Sequence, residues 1–552
     1  MRARILAFVV VLGLVAGACS SGGGGDGGSE TPRGAGEPQY GGRVVYGLEA
    51  DTTGGFAPAG CVCAVSGHQI MKAVYDTLTL VDSDGTVIPN LATSWSHNDD
   101  YTEWTFTLRD GVQFHDGTPL NGDAIIVNIG ALKASFLTQT AVRDIDKVTA
   151  DGQTFTLELA RPVANLPVTL ATQLGYVASP KWLAEAAKDT TLLNQPVGTG
   201  PFVYASYTPG NGNSFVAKRN ANYWRDGLPF LDEVEFRVLE DIQSRSNALR
   251  TGEIDAMHTS NADEIAKFRK SRDSLVLQEI TNNQETAYVL LHVGSPTVEI
   301  AGATFENALT DVRVRRALAF ATDNQTLIES RGAGIVPEAN GPFPPGTTGY
   351  LEDTGYPKFD LDEAKRLVAE WEAENGPLTM KYATTNDPFN RLTAELLQRM
   401  WKNAGIDVTI DTIEQSQFII KALTGEFQAF GWRNHGRVDP ILEDIWWTSE
   451  TAVAPPGLSL NFGRIGDEEI DAGLAVIRES DDPAARKAAA EAINRRFGEQ
   501  AYNLWTSWVL WAVVSNPKMH DLLEYEAPDG VEVPTGLGIG ASHFLTYAWV
   551  QR

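Results

Sequence analysis

From Trp104 to Arg109 apolar and polar residues alternate, and Phe155, Leu157 and Leu159 alternate in the same way with Thr154, Thr156 and Glu158. A period of two puts successive side chains on opposite faces, so both segments are predicted as half-buried strands. Asp110-Gly111 and Asp116-Gly117 supply turns nearby. Upstream, Arg43 to Leu48 reads as a strand that follows the turn residues Gly41 and Gly42. His68 to Leu78 reads as a helix, because Ile70, Val74, Tyr75 and Leu78 share one helical face.

From about Asp311 the pattern changes to alternating helices and strands. Leu361, Ala364, Leu367, Val368 and Trp371 form a helical stripe, with Asp360 and Glu363 placed as a capping box and Asn375-Gly376-Pro377 as the stop. A strand from Leu378 to Tyr382 follows. Asp387-Pro388 opens a helix carrying Leu392, Leu396, Leu397, Met400 and Trp401, and Gly405 ends it. Ile406, Val408 and Ile410 then alternate as a strand. This strand–helix–strand order predicts parallel pairing in an α/β body. A helix from Gln415 to Leu423 leads to a strand from Phe427 to Trp432, and Pro483 to Phe497 is a further helix.

The chain has 552 residues, enough for two or three domains. Asp and Glu number 71 against 44 Lys and Arg, a formal net charge of -27. That balance excludes nucleic acid as a partner, because phosphate neutralisation needs clustered cations. It also disfavours direct adhesion to anionic lipid.

Arg2, Arg4 and the apolar run Ile5 to Val15 have the form of an export signal, too short to span a bilayer. Ala16, Gly17 and Ala18 then lead into Cys19, which resembles a bacterial lipobox whose cysteine is lipidated; the usual Leu of that motif is Ala16 here. Ser20 to Ser29 is nearly all Gly and Ser, the composition of a flexible tether. The expected anchor is therefore a lipid on Cys19, at the outer face of the cytoplasmic membrane.

Several further blocks carry a family resemblance. They are Leu91 to Trp95 with Tyr101 to Pro119, Pro196 to Phe202, Asn222 to Trp224 with Leu231 to Val234 and Leu249 to Ala256, Asp311 to Asp323, and Gly431 to Pro440. In this order they resemble the peptide/nickel-type solute-binding proteins, family 5 of the ABC importers. The resemblance implies an α/β fold of two lobes, the periplasmic-binding-protein fold of class II and cluster C type, with an extra β-rich domain. It implies residues 1–19 as lipoprotein signal peptide and 20–39 as tether. One lobe is then expected from residues 40–80, 196–293 and 511–552, the extra domain from 81–195, and the second lobe from 294–510. It further implies a monomer that closes over a peptide or other small polar or aromatic solute and docks on a membrane permease coupled to ATPase subunits. No cofactor, metal or catalytic residue is expected.

The resemblance places Trp432, Arg433, Asn434, His435 and Asp439 near the interlobe cleft. Peptide-binding relatives carry a carboxylate three places after the Trp, to pair with the ligand ammonium; this chain has His435 there. A neutral imidazole does not replace a carboxylate. Trp432 either stacks on ligand or plugs the core, and Arg433 and Arg437 either fork onto a ligand carboxylate or are solvated. Asp439-Pro440 reads as a structural turn unless Asp439 supplies the missing acid. His292 is expected at a hinge, as a hydrogen-bonded structural histidine or a ligand contact. Trp505 and Trp508, with Tyr502 and Trp511, form either core or an apolar wall for a ring-bearing ligand. Cys61-Val62-Cys63 with His68 offers three metal donors where zinc takes four, which leaves two thiols or a local bridge.

No Gly-x-Ser-x-Gly elbow, His-Glu-x-x-His helix or phosphate-binding loop occurs in the sequence. A surface receptor that senses without transport, and a secreted hydrolase, are the competing classes. If His435 stands where the resemblance puts it, His435→Asp will shift ligand preference toward amino-terminal cations. Calorimetry with matched amino-blocked and free peptides checks this; unchanged preference removes His435 from that position.

Overall fold

A computed structural model describes residues 37–82, 85–271, 275–281, 285–434, 438–455, 457–523 and 540–552. Residues from Pro38 onward form one unit. Cys19, most of the tether, His435 and Arg437 lie outside the described residues.

Seven strands make the first sheet, in the order Val276–Ile280, Trp511–Ser515, Ala256–Thr259, Arg43–Leu48, Glu233–Val238, Ser214–Arg219, Phe202–Tyr207. The central strand Arg43–Leu48 runs parallel to both neighbours, and the outer pairs are antiparallel. The second sheet has five strands, in the order Asp407–Ile413, Thr379–Thr385, Ala429–Asn434, Thr286–Leu291, Asn503–Trp508. Its first three are parallel, as the strand–helix–strand pattern predicts. The third sheet is four-stranded and antiparallel, in the order Ala92–His97, Glu103–Leu108, Thr154–Leu159, Ile145–Asp151, so the strand Ile145–Asp151 lies at its edge. Phe106 and Phe155 pair across it with centroids 5.0 Å apart.

The chain passes between the first two sheets at two places. One lies between Ile280 and Thr286, the other between Trp508 and Trp511. Thr286–Leu291 thus pairs in the second sheet, although the expected boundary at 293 leaves it with the first. Its run of Tyr288 to Leu291, buried throughout, needs the cover that a central position in a sheet provides.

Most element ends follow local chemistry. Asp360 Oδ1 accepts from the backbone N–H groups of Asp362 and Glu363, opening the helix Leu361–Asn375. The capping box is half closed: Glu363 pairs with Arg366 instead of reaching back, and the Asp360 N–H donates to Phe320 O. Asp387 caps Pro388–Asn403, and Gly405 takes a φ of 100° after it.

The first helix departs from the prediction. It spans Val65–Val74 and ends before Tyr75 and Leu78. Gly200 N–H donates to Val74 O at 2.9 Å, and a Cβ on Gly198 or Gly200 would collide with the Val74 backbone. The Pro196 to Phe202 block therefore seals the helix end by close backbone approach. Beyond it, the buried Asp76 carboxylate accepts from Thr199 Oγ1 at 3.0 Å, Tyr223 OH at 3.0 Å and Trp224 Nε1 at 2.8 Å. Arg109 and Arg225 pack on the Trp224 ring at 4.5 and 4.4 Å. Burial raises the Asp76 pKa, and these donors oppose the rise.

Asp76→Ala should lower the unfolding free energy by roughly 3–5 kcal/mol, because it strands three donors from two segments of the chain. Denaturant unfolding followed by tryptophan fluorescence measures it. A loss under about 1 kcal/mol, the range of an ordinary surface change, contradicts this role.

Candidate functional site

Loops and helices beside the first and second sheets, together with the β-rich body, line a half-open cavity of about 330 Å³. The first body contributes Cys61, Val62, Cys63 and His68, around the start of the helix Val65–Val74. The β-rich body contributes Ile129 and the span from Leu137 to Ile145, with Leu166, Leu170 and Leu174 further on. Ile419, Leu423, Leu442, Trp446, Leu460 and Phe462 come from the second body.

Cys61 and Cys63 are joined by a disulfide in this wall, with Cα atoms 5.1 Å apart. The local bridge is thus the form taken, and among the described residues no group of three metal-ligating side chains of the His, Cys, Asp and Glu types assembles.

On one side the cavity wall is charged. Asp444 accepts from Arg143 and, at 3.3 Å, from Arg478. Arg161 donates to Asp144 at 2.7 Å and to Glu450 at 2.8 Å. The Arg143–Asp444 and Arg161–Glu450 pairs join the β-rich body to the second body. Ala164 N–H to Arg478 O at 2.7 Å and Tyr101 OH to Asp481 at 2.6 Å extend the seam.

The expected site residues divide between this region and the core. Trp432 is half-buried and is absent from the cavity lining among the described residues. It stacks on Phe418 at 5.5 Å and meets Phe462 edge-on at 5.0 Å. Phe462 does line the cavity, so Trp432 supports the wall from behind. Arg464 holds the same wall: its guanidinium donates to the backbone oxygens of Ala422, Leu423 and Phe462.

Arg433 is exposed and donates to Ser260 Oγ at 2.9 Å, a direct bridge from the second sheet to the loop after Ala256–Thr259. Asn434 is buried and donates to Glu443, which lines the cavity, at 3.3 Å. Asp439 serves as turn and anchor. Its Oδ1 caps Ile441 N–H at 2.8 Å and pairs with Arg486, while Oδ2 accepts from Asn165 at 2.7 Å.

His292, expected at a hinge, lies beyond the far end of its strand. Thr286 pairs with Asn434 at the cleft end, whereas the His292 N–H donates to Gln428 O six residues on. The ring is fully buried against Phe427, and neither nitrogen has a hydrogen-bond partner among the described residues. Burial pushes its pKa down to about 3, with Arg464 adding to the shift, so it is neutral. Trp505 and Trp508 are core: they are 1% and 2% exposed, and neither is among the residues that line the cavity. Trp505 packs on Tyr288 at 5.1 Å and on Phe497 at 5.7 Å.

Sequence reasoning missed the aliphatic wall and the Arg143–Asp444–Arg478 cluster. The one signal for the cluster was Arg478, a charge facing inward at the end of the amphipathic helix Glu468–Glu479.

Glu285 sits where the chain crosses between sheets. It is 5% exposed, its backbone oxygen accepts Val509 N–H at 2.7 Å from the other crossing, and Trp511 Nε1 donates to Oε2 at 3.0 Å. Burial pushes its pKa up to about 7, against the opposing pull of Arg433 and the Trp511 hydrogen bond and with the help of Glu49.

Residues 86–454 match the family described as bacterial extracellular solute-binding proteins, family 5 Middle. Heme-binding protein A of Haemophilus influenzae is 27% identical over 454 residues, covering 76% of this chain and 79% of the relative. The nickel-binding periplasmic protein of Escherichia coli is 25% identical over 484 residues, covering 84% and 88%. The fold is similar to that of the ABC transporter-associated periplasmic binding protein DppA from Helicobacter pylori in complex with the peptide STSA. That match has a TM-score of 0.79 and 21% identity over 93% of this chain and 99% of the other.

Between about pH 4.5 and 7 the folded protein keeps a proton on Glu285 that the unfolded chain releases. This contribution to stability is full below about 4.5 and is lost as the pH rises through 7. Across that window Glu285→Gln should lose roughly 3 kcal/mol less than the parent protein. Denaturant midpoints at acidic and mildly alkaline pH test it; parallel curves refute it.

Proposed function

Because the chain belongs to the bacterial extracellular solute-binding proteins of family 5, we propose that it captures one solute molecule in the three-sided cavity and delivers it to an ABC permease. The carrying observation is that cavity: its walls come from three bodies that the chain joins by only a few crossings. Separating the walls admits a solute, and bringing them together removes it from water.

Under this reading the lobes follow the expected division, residues 40–80, 196–293 and 511–552 against 294–510, with Thr286–Leu291 carried by the second. The extra domain, 81–195, forms the third wall. Arg433 acts as a clasp across the lobes through Ser260, and Trp432 and Asn434 act behind the solute-facing residues Phe462 and Glu443. Cys19 carries the lipid anchor, the tether holds the folded part at the outer face of the cytoplasmic membrane, and the protein works as a monomer. Among the described residues no helix is long and apolar enough to cross a membrane.

The relatives are named as binding proteins, which supports capture without turnover. Their named ligands differ, heme in one and nickel in another, so the family alone does not choose the solute.

Small-angle scattering of the mature protein tests closure. Adding a pool of small extracellular metabolites should reduce the radius of gyration, and removing them by dialysis should restore it. An unchanged radius with every pool overturns the proposal.

A further inference from the structure

The cavity wall restricts the chemistry of what enters. Resting on the capture reading above, we infer that the solute is an uncharged, mainly apolar molecule carrying a hydrogen-bond acceptor.

The first argument is the wall itself. Leu137, Leu170 and Leu174 from the β-rich body face a space also lined by Ile419, Leu442 and Trp446 from the second body. A zwitterion or chelated cation placed there exchanges water for aliphatic carbon, a transfer that strongly disfavours charge. An apolar body gains from the same transfer.

The second argument is the state of the polar groups. Asp444 is held by Arg143 and Arg478, and Asp144 by Arg161. Thr138 Oγ1 donates to Leu132 O, and Thr172 Oγ1 to Thr169 O. A ligand ammonium would have to compete with an arginine for these two carboxylates, and with Asn434 for Glu443. Nε of Arg478, a residue 9% exposed, is buried without a hydrogen-bond partner among the described residues, as is Nε of Arg143. A carbonyl, ether or hydroxyl oxygen satisfies such a donor at no cost in charge. A carboxylate there would sit on a wall that already holds Glu443, Asp444 and Asp144. Neutral acceptors therefore fit where either ionic end of a peptide does not.

The test uses the mature protein and the uncharged fluorophore N-phenyl-1-naphthylamine, with 2-decanone, decanoate, the dipeptide Ala-Phe and nickel–histidine as competitors. The fluorophore should bind, and 2-decanone should displace it at concentrations about tenfold below those needed with decanoate, while Ala-Phe and nickel–histidine leave it in place. Leu442 and Ile419 are half-buried, so Leu442→Lys and Ile419→Lys can be made with the fold retained, as thermal unfolding will verify. Each should weaken fluorophore binding about tenfold or more.

Tighter binding of Ala-Phe, decanoate or nickel–histidine than of 2-decanone, with scattering still showing closure, overturns the apolar class and leaves the capture reading standing. Fluorophore binding untouched by both lysine variants overturns the placement. Failure of every competitor and of the fluorophore, with no closure, overturns class and capture together.

Discussion

A single buried carboxylate organises the end of the first helix, and the β-rich body reaches it through one aromatic ring. Asp76 follows the helix Val65–Val74 and is 4% exposed, yet it gathers hydrogen bonds from Thr199, Tyr223 and Trp224. Trp224 is in turn gripped by Arg109 from the β-rich body and by Arg225. Taking a carboxylate out of water costs several kcal/mol, and only well-placed donors offset it. The sequence blocks that supply these donors are therefore coupled: each is needed so that the others face a satisfied acceptor. Together with the backbone bonds from His115 N–H to Gly198 O and from Ser179 N–H to Val197 O, the Arg109 contact on Trp224 sets the β-rich body, and so one wall of the cavity, against the first body.

The opposite wall is held differently. The second body meets the β-rich body through ion pairs, a few hydrogen bonds and one continuous apolar cluster that includes Leu157 and Leu166 on one side and Ile441 and Phe462 on the other, and it meets the first body through two chain crossings and the Arg433–Ser260 contact. Only the outer end of this seam is exposed, where Glu450 meets Arg161; Asp444 and Arg478 are buried, so parting them costs more than parting a surface pair. The shared apolar cluster adds to that cost.

Much of the architecture was legible in the sequence. Alternation located the strands Glu103–Leu108 and Thr154–Leu159, and the stops at Gly376 and Gly405 bounded helices because those backbones require positive φ. The first helix was read too long, since Tyr75 and Leu78 continue its apolar stripe while the cause of its end lies in Gly198 and Gly200, far along the chain. The site was legible only in part. The aromatic and ionisable residues near residue 432 turned out to brace the cavity or bridge across it, among those the structure describes. Its lining is aliphatic and drawn from many segments, and a leucine facing a cavity looks the same in sequence as one facing a core. For Trp505 and Trp508, read as core or as an apolar wall, the buried rings match the core alternative, since a large ring near a proposed cleft is usually filling volume.

The bridge between Cys61 and Cys63 makes the cavity depend on where the chain matures. Disulfides persist in oxidising surroundings and are removed by cytosolic reductants. Polypeptide folded inside a reducing cytoplasm would therefore present two separate thiols at this wall, a chemically different receptor from the exported one. Material intended for ligand identification has to carry the Cys61–Cys63 bridge.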